Sequence, residues 1–397
     1  MEEITMKDDT RKSEMIYVIF FGILFFVFSY YIFTELTKGV ITKDFPSHME
    51  GAELILDGQL LTLLKADSYP LWQIFVALTA ALFRMPVAAA TALVCSLLNV
   101  ADFLLIIRFF NHYEFRAKTI APLSCALLLL GPMYLPWYNP NIYLGQGTPN
   151  VWHNPTTICV RPFALATFLL IIHLLKKGEE QKVCRRKEFA ILAVMLVCCN
   201  LAKPSFMQGL IPGLGLYFVL KLVRQRGKNL MFYLKMAAAF VPCVLLLAIQ
   251  WVISFQSSPS AEGGIAISLF EVMKRYSPNI LISTVLGMAF PLYVMIGRWK
   301  TVRKKPELQL LGCTVFAAYL EQSLLMETGY RKYHGNFGWA YLVFMFLTYV
   351  FSLREFLLWN RAYEYDRRGE RSAVGIGWVL FFIQLAIGVY YTFHLYR

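Results

Sequence analysis

Apolar residues run along this chain in long stretches of about twenty, parted by short polar segments, from one end of the sequence to the other. At 1.5 Å per residue such a stretch covers ~30 Å of hydrocarbon. The pattern predicts eleven membrane-spanning helices, at about 15–37, 87–110, 119–137, 157–175, 189–203, 205–223, 230–254, 279–297, 308–326, 336–356 and 374–394. One further apolar run, 70–83, is short for a crossing. Composition points the same way: 58% of the 397 residues are hydrophobic and 16% charged, against roughly 45–50% and about 25% in a soluble domain. The expected fold class is therefore an all-α polytopic membrane protein, a single membrane domain over 1–397. A soluble enzyme, a disordered chain and a collagen-like chain are excluded.

Charge orients the pattern. The formal net charge is +13, yet the basic residues sit in short clusters between apolar runs, which argues against a nucleic-acid partner and for membrane topology. With a cytoplasmic N-terminus and no crossing at 70–83, the predicted inner segments (1–14, 108–118, 176–187, 221–228, 298–305, 354–371) hold 26 of the 38 Lys and Arg. This is the bias expected of cytoplasmic loops. If 70–83 crossed, the basic runs at 176–187 and 298–305 would fall outside. The expected layout is thus a cytoplasmic tail (1–14) and an uncleaved first span. A long extracytoplasmic segment (38–86) with a re-entrant or interfacial helix at 70–83 follows, then the rest of a membrane core (87–254) and C-terminal helices (255–397). Within the extracytoplasmic segment, leucines alternate with Glu50, Glu53, Asp57 and Lys65 over 47–66, a pattern for an amphipathic interfacial helix with Ser47 and Glu50 in capping-box spacing. The eight cysteines form no CxxC pair and no metal-type spacing, so neither a disulfide framework nor a zinc site is expected.

The polar residues able to carry chemistry gather in the segments assigned to the outer face. Asp44 and His48, four apart in DFPSH, suit a general base with its partner or half a metal site; the plainer alternative is that Asp44 or Ser47 caps the helix that follows. The next outer loop ends WHNPTTICVR, bringing His153, Asn154 and, just inside the span, Arg161. An arginine there either snorkels to the headgroups or grips an anion with its bidentate fork. Lys203, before Pro204, stands against the charge bias and either anchors at headgroups or meets a lipid phosphate. Glu327, Arg331 and His334 cluster in a third outer loop, near Glu321 and Gln322 within a span, where a structural Glu–Arg pair is the alternative.

With these residues in view the chain resembles the GT-C superfamily of integral-membrane glycosyltransferases, in the manner of a small bacterial member. The match lies in KDFPSHMEGAELI after the first span, in the Tyr69–Leu71 start of the short apolar helix, in WHNPT with Arg161, and in Lys203 with Arg331 or His334. The resemblance covers the layout of roughly the first seven spans. It implies a polyprenyl-phosphate-linked sugar donor, a glycan, lipid or protein acceptor, and an inverting transfer at the outer face of a bacterial plasma membrane for cell-envelope glycan modification. In it Asp44 and His48 are catalytic, while His153, Asn154, Arg161, Lys203, Glu327, Arg331 and His334 bind substrate or phosphate. A divalent Mg or Mn cofactor would rest on Asp44, His48 and His153. Asp44 has no adjacent second carboxylate, and His153 stands where metal-dependent relatives carry an acid, which puts metal use in doubt. The large soluble C-terminal domain of oligosaccharyltransferase-type members has no counterpart, which argues against protein N-glycosylation.

Two other classes share the composition. A lipid-linked-sugar flippase or transporter needs polar groups near the bilayer midplane, and Asn99, Asp102, Glu321 and Gln322 are the candidates. A non-catalytic partner of a polysaccharide synthase would tolerate alanine at Asp44. The topology itself is testable by thiol labelling on a cysteine-free background. Glu180→Cys is expected to react with an impermeant reagent only from the cytoplasmic side and Tyr330→Cys only from outside; the reverse pattern would invert the layout.

Overall fold

The computed structural model describes residues 2–39, 44–256, 264–365 and 371–395. The protein is all-α and membrane-embedded, its helices joined by two strands of three residues each, β1 (Ile265–Ile267) and β2 (Leu325–Glu327), paired antiparallel with Ile265 opposite Glu327. Among the described residues six helical stretches are long and apolar enough to cross a membrane, or eight if each of two bent pairs is one span.

The first helix, α1 (Glu2–Leu36), continues the charged N-terminal segment directly into the apolar stretch Glu14–Leu36. Three short helices come next in the chain, α2 (Asp44–Leu56), α3 (Leu60–Ala66) and α4 (Leu71–Phe83). The single amphipathic helix expected over 47–66 is thus two. Gly58 breaks it with φ +74°, a left-handed conformation that only glycine adopts freely. Because α2 already begins at Asp44, the Ser47–Glu50 capping box is not used. Asp44 instead lies in the first turn, where a carboxylate complements the helix dipole. A Cβ on Gly51 would meet Leu63 at 2.8 Å and Gln73 at 3.1 Å, so α2 lies hard against α3 and α4.

Two long helices, α5 (Val87–Asn111) and α7 (Pro155–Glu179), flank the short α6 (Ala117–Leu127), whose first backbone N–H is capped by the Glu14 carboxylate of α1. The span expected at 119–137 is not formed. Its hydropathy is adequate, but Gly131-Pro132 and Pro136 deny the backbone a continuous helix, and the chain runs irregularly from there to Asn154. Next come α8 (Arg186–Ala202), α9 (Ser205–Arg224), α10 (Leu230–Ala238) and α11 (Val241–Gln256), the last two bent by 44°. A one-and-a-half-turn α12 (Glu271–Tyr276) precedes α13 (Ile280–Gly287) and α14 (Ala289–Gly297), which are bent by 78° where one span at 279–297 was expected. After α15 (Trp299–Val302) come α16 (Pro306–Leu324), α17 (Trp339–Tyr365) and α18 (Arg371–His394). Of the helices expected as spans, α8, at 17 residues, is too short to count among these six, and α16, at 19 residues, is long enough but not apolar enough. α17 is the most enclosed of the six spans, 94% of its apolar window being buried.

Irregular backbone within a membrane protein persists only where other groups satisfy it, and here one side chain serves two breaks at once. Gln384 of α18 donates to Gly131 O (3.0 Å) and to the Tyr349 hydroxyl (2.7 Å), and accepts from Phe290 N (3.1 Å) at the α13–α14 bend. Tyr349 in turn donates to Gly287 O (2.7 Å). The backbones touch as well: Gly131 N donates to Gln384 O (3.0 Å), and a Cβ on Gly388 would stand 1.8 Å from Leu129 O and 2.4 Å from Gly131 N.

Farther along α17 lies a buried ion cluster. Arg354 donates to Glu355 Oε1 (2.8 Å) and the Tyr113 hydroxyl (2.8 Å), with Glu307 at 3.3 Å, while Lys305 reaches both Glu355 oxygens at 2.7 Å. Two cations face two carboxylates, so the cluster is neutral as a whole. Arg354 was expected in a loop over 354–371; the helix instead continues to Tyr365.

Gly388→Ala is expected to destabilise by about 1–3 kcal/mol or more, because the methyl must displace backbone rather than a flexible side chain. Thermal unfolding in detergent of this variant beside Gly375→Ala, whose Cβ meets nothing within 4 Å, checks it; equal melting temperatures would contradict the close approach.

Candidate functional site

The site forms where α2, the start of α7 and the α8–α9 turn meet. Asn154 is the N-cap of α7, with Pro155 following at the first helical position, the usual Asn-Pro opening of a helix. Its Oδ1 accepts from Thr157 N (2.9 Å) and from the Thr156 and Thr157 hydroxyls. The same amide bridges two charges. Nδ2 donates to Asp44 Oδ2 (3.1 Å), and Oδ1 accepts from Lys203 Nζ (3.0 Å). Lys203, at the C-cap of α8, also donates to Thr156 Oγ1 (3.0 Å) and lies 4.1 Å over the Trp339 ring. A cap residue thereby ties a carboxylate and an ammonium from distant segments into one cluster.

His153 stands beside it, its Nδ1 2.7 Å from the Tyr391 hydroxyl and its ring 4.8 Å from that of Tyr143. Burial is the main reason its imidazole is held down at about 4, with Lys203 adding to the effect and Asp44 opposing it. The ring is therefore neutral near pH 7 and serves as a hydrogen-bonding group. Burial also brings Lys203 down to about 8, against the pull of Asp44 and Asp67. It remains largely protonated at pH 7 but stands close to its titration.

The half-buried Tyr69 feels several of these charges. Its phenol is pushed well above the usual range, by burial first, then by Asp67, Asp44 and Glu327, with Arg331 opposing. Glu327, at the end of β2, accepts from Asn336 Nδ2 (2.5 Å), and Arg331 approaches it at 3.9 Å. Thus Asp44, Asn154, His153 and Lys203 are brought together, with Glu327 and Arg331 close enough to act on the same phenol.

Two expected members are placed differently. His48 turns toward Asp67, its Nδ1 3.4 Å from Oδ2 and 3.3 Å from Gln73 Nε2, and packs edge-on to Trp72. Arg161 is only 2% exposed. Its Nε lies 3.1 Å from Asp102 Oδ2, near enough for an ion pair although not aligned as a hydrogen bond, while NH2 donates to Asn99 (2.5 Å) and NH1 to Asn150 (3.2 Å). These partners take up the fork that was expected to grip a phosphate. His334 lies farther along the same face, edge-on to Tyr330.

A metal held by Asp44, His48 and His153 does not fit this arrangement. His48 faces Asp67 and His153 faces Tyr391, and among the described residues no group of three or more His, Cys, Asp or Glu is placed to hold an ion. Sequence reasoning passed over Asp67, Thr156, Tyr143, Trp339 and Tyr391 as site members. Thr156 lies inside WHNPT but was not singled out; the other four stand in no motif, and only folding brings them to the cluster. A scan of protein-family models and a search of curated proteins both find nothing that matches this chain.

The lowered Lys203 value has a consequence for stability. The folded chain binds this proton less tightly than the unfolded chain, whose value is 10.5. The folded state therefore gains stability as pH rises from about 8 to about 10.5, and the contribution is constant below that window. Wild type is expected to gain on Lys203→Met in melting temperature across it. A difference that stays flat with pH would contradict a desolvated Lys203.

Proposed function

We propose that the protein is a membrane glycosyltransferase that moves a sugar from a polyprenyl-phosphate-linked donor to an acceptor hydroxyl at the extracytoplasmic face of a bacterial plasma membrane. The observation that carries the reading is the bridge Asp44–Asn154–Lys203: a carboxylate and a desolvated cation fixed one amide apart, at the bundle end to which the charge pattern assigns the outer face. Sugar transfer from a lipid phosphate needs a base for the acceptor proton and a cation for the departing phosphate, side by side.

In this reading Asp44 accepts the proton of the acceptor hydroxyl as that oxygen bonds to the anomeric carbon. The bond from the anomeric carbon to the phosphate oxygen breaks on the opposite face, its electron pair leaving with the polyprenyl phosphate, and the configuration inverts. Lys203 meets the charge that grows on the leaving phosphate, assisted by the more exposed Arg331; a preorganised cation in a partly dry site contributes several kcal/mol at the transition state. Asn154 holds both groups in register, and neutral His153 orients a sugar hydroxyl. Arg161 acts as a positioning residue, through Asn150. Transport is the second reading: of its two mid-span acids Asp102 is engaged by Arg161, while Glu321 keeps one buried oxygen without a hydrogen-bond partner among the described residues.

Turnover of a panel of polyprenyl-phosphate sugars by the purified protein in lipid nanodiscs tests this. Asp44→Asn is expected to lose about 10²–10⁴-fold in kcat with donor affinity little changed, and Lys203→Ala to weaken donor binding and turnover together. Wild-type turnover by Asp44→Asn would overturn the reading.

A further inference from the structure

Residues 298–305, RWKTVRKK, carry the chain from α14 through α15 into α16, in one of the segments that the charge pattern assigns to the cytoplasmic side. Two of the five cations there belong to the fold: Arg298 is half-buried at the C-cap of α14, and Lys305 turns inward to Glu355 at 2.7 Å. Lys300, Arg303 and Lys304 are exposed. None of these three pairs with a carboxylate among the described residues. Glu307, the nearest acid in sequence, is taken by Arg354 at 3.3 Å, and Glu355 by Lys305 and Arg354. The basic run at 176–187 is treated otherwise, Lys177 meeting Glu188 and Lys182 meeting Glu180, both at 2.6 Å. Like charges held this close repel one another, so an anion placed among Lys300, Arg303 and Lys304 relieves that repulsion as well as gaining its own attraction.

The corner has a packed side and an open one. Val302 is buried, Gln309 donates to Arg303 O (2.8 Å), and a Cβ on Gly297 would meet the Trp359 ring at 2.8 Å, which seats α15 against the bundle. Large apolar groups stand open beside the cations: Ile296 is 70% exposed and Trp299 58%. Along the chain from α14 the order is an aliphatic side chain, an indole, then ammonium and guanidinium groups. A bilayer presents its matching layers in the same order, hydrocarbon, headgroup level and phosphate. A soluble anion would answer the cations and leave Ile296 and Trp299 against water; a phospholipid answers both.

We infer that the α14–α16 corner is a binding site for an anionic phospholipid of the inner leaflet. Lys300, Arg303 and Lys304 hold the phosphate, and Trp299 and Ile296 pack against the glycerol and the first acyl carbons. The site stands whether or not the protein transfers sugar.

Native mass spectrometry of the detergent-purified full-length protein, titrated with cardiolipin, phosphatidylglycerol or phosphatidylcholine and with inorganic phosphate as the soluble probe, tests the assignment. The two anionic lipids are expected to be retained, cardiolipin more strongly because it offers two phosphates, and the other two probes are not. The triple variant Lys300→Gln, Arg303→Gln, Lys304→Gln should weaken cardiolipin binding about tenfold or more. Arg224→Gln, Arg226→Gln, Lys228→Gln removes as many cations from an exposed turn, 224–228, that carries no aromatic residue, and should leave binding unchanged. Trp299→Ala keeps every charge and should weaken binding as well; if the first triple does not fold, this variant decides alone. Equal losses from the two triples would show a diffuse surface charge and overturn the site. So would retention of phosphatidylcholine equal to that of cardiolipin, binding of inorganic phosphate as strong as that of lipid, or binding that Trp299→Ala leaves unaltered.

Discussion

A guanidinium inside an apolar bundle must be surrounded by groups that replace its water, and this requirement at Arg161 organises the structure. Its partners come from separate parts of the chain: Asp102 and Asn99 on α5, and Asn150 in the loop before α7. Asn99 passes the contact to Ser29 on α1. Asn150 passes it to the end of α6, donating to Leu127 O (2.8 Å) and Leu130 O (2.9 Å), carbonyls that the helix leaves behind as it stops. One buried cation thus holds three helices together and finishes a fourth. Once such a pair is buried, removing either member strands the other, which commonly costs 3–5 kcal/mol. The arrangement is therefore self-consistent rather than strongly stabilising.

The same constraint sets the geometry of the polar cluster. His153 and Asn154 follow Asn150 by three and four residues, so the loop reaches Asp44 from a point already fixed by Arg161. On the far side the loop rests on α18, through Tyr391 at His153 and through the Gln384 contacts at Gly131. A loop of this length would ordinarily be mobile. Here it is clamped at both margins by hydrogen bonds to helices, so the two charges bridged by Asn154 are held by the scaffold rather than by each other.

Hydropathy shows a membrane protein plainly, because span-length apolar runs depend only on local sequence, and the Asn154-Pro155 helix start is equally local. What hydropathy cannot show is where an apolar run fails as a helix. The 119–137 stretch reads as a span until Gly131-Pro132 is weighed for its hydrogen bonds, and the 78° bend within 279–297 leaves no mark in composition. Arg161 and Asp102 each stood out as ionisable residues in apolar surroundings. Their pairing did not, since it joins positions on different helices and periodicity carries no information about partners. Trp339 and Tyr391 were hidden for a related reason: in a chain with 8 Trp and 22 Tyr, an aromatic near a span end reads as an interfacial anchor. Of the candidate site, Asp44, His153, Asn154 and Lys203 were legible because polar groups at span ends are costly and few; the company they keep was not.

The dependence of His153 on Tyr391 joins residues 238 positions apart, which orders events during synthesis. A ribosome adds about 5–20 residues per second, so the histidine waits on the order of 10–50 s before the helix that secures it exists. Through that interval Gly131 lacks both its backbone contact and the Gln384 amide, and His153 lacks the Tyr391 hydroxyl. The membrane holds an unfinished protein whose loop is open, and the His153 side of the cluster closes only when α18 is inserted. Substitutions in α18, far from any polar cluster in the sequence, therefore act on the site by leaving its assembly incomplete.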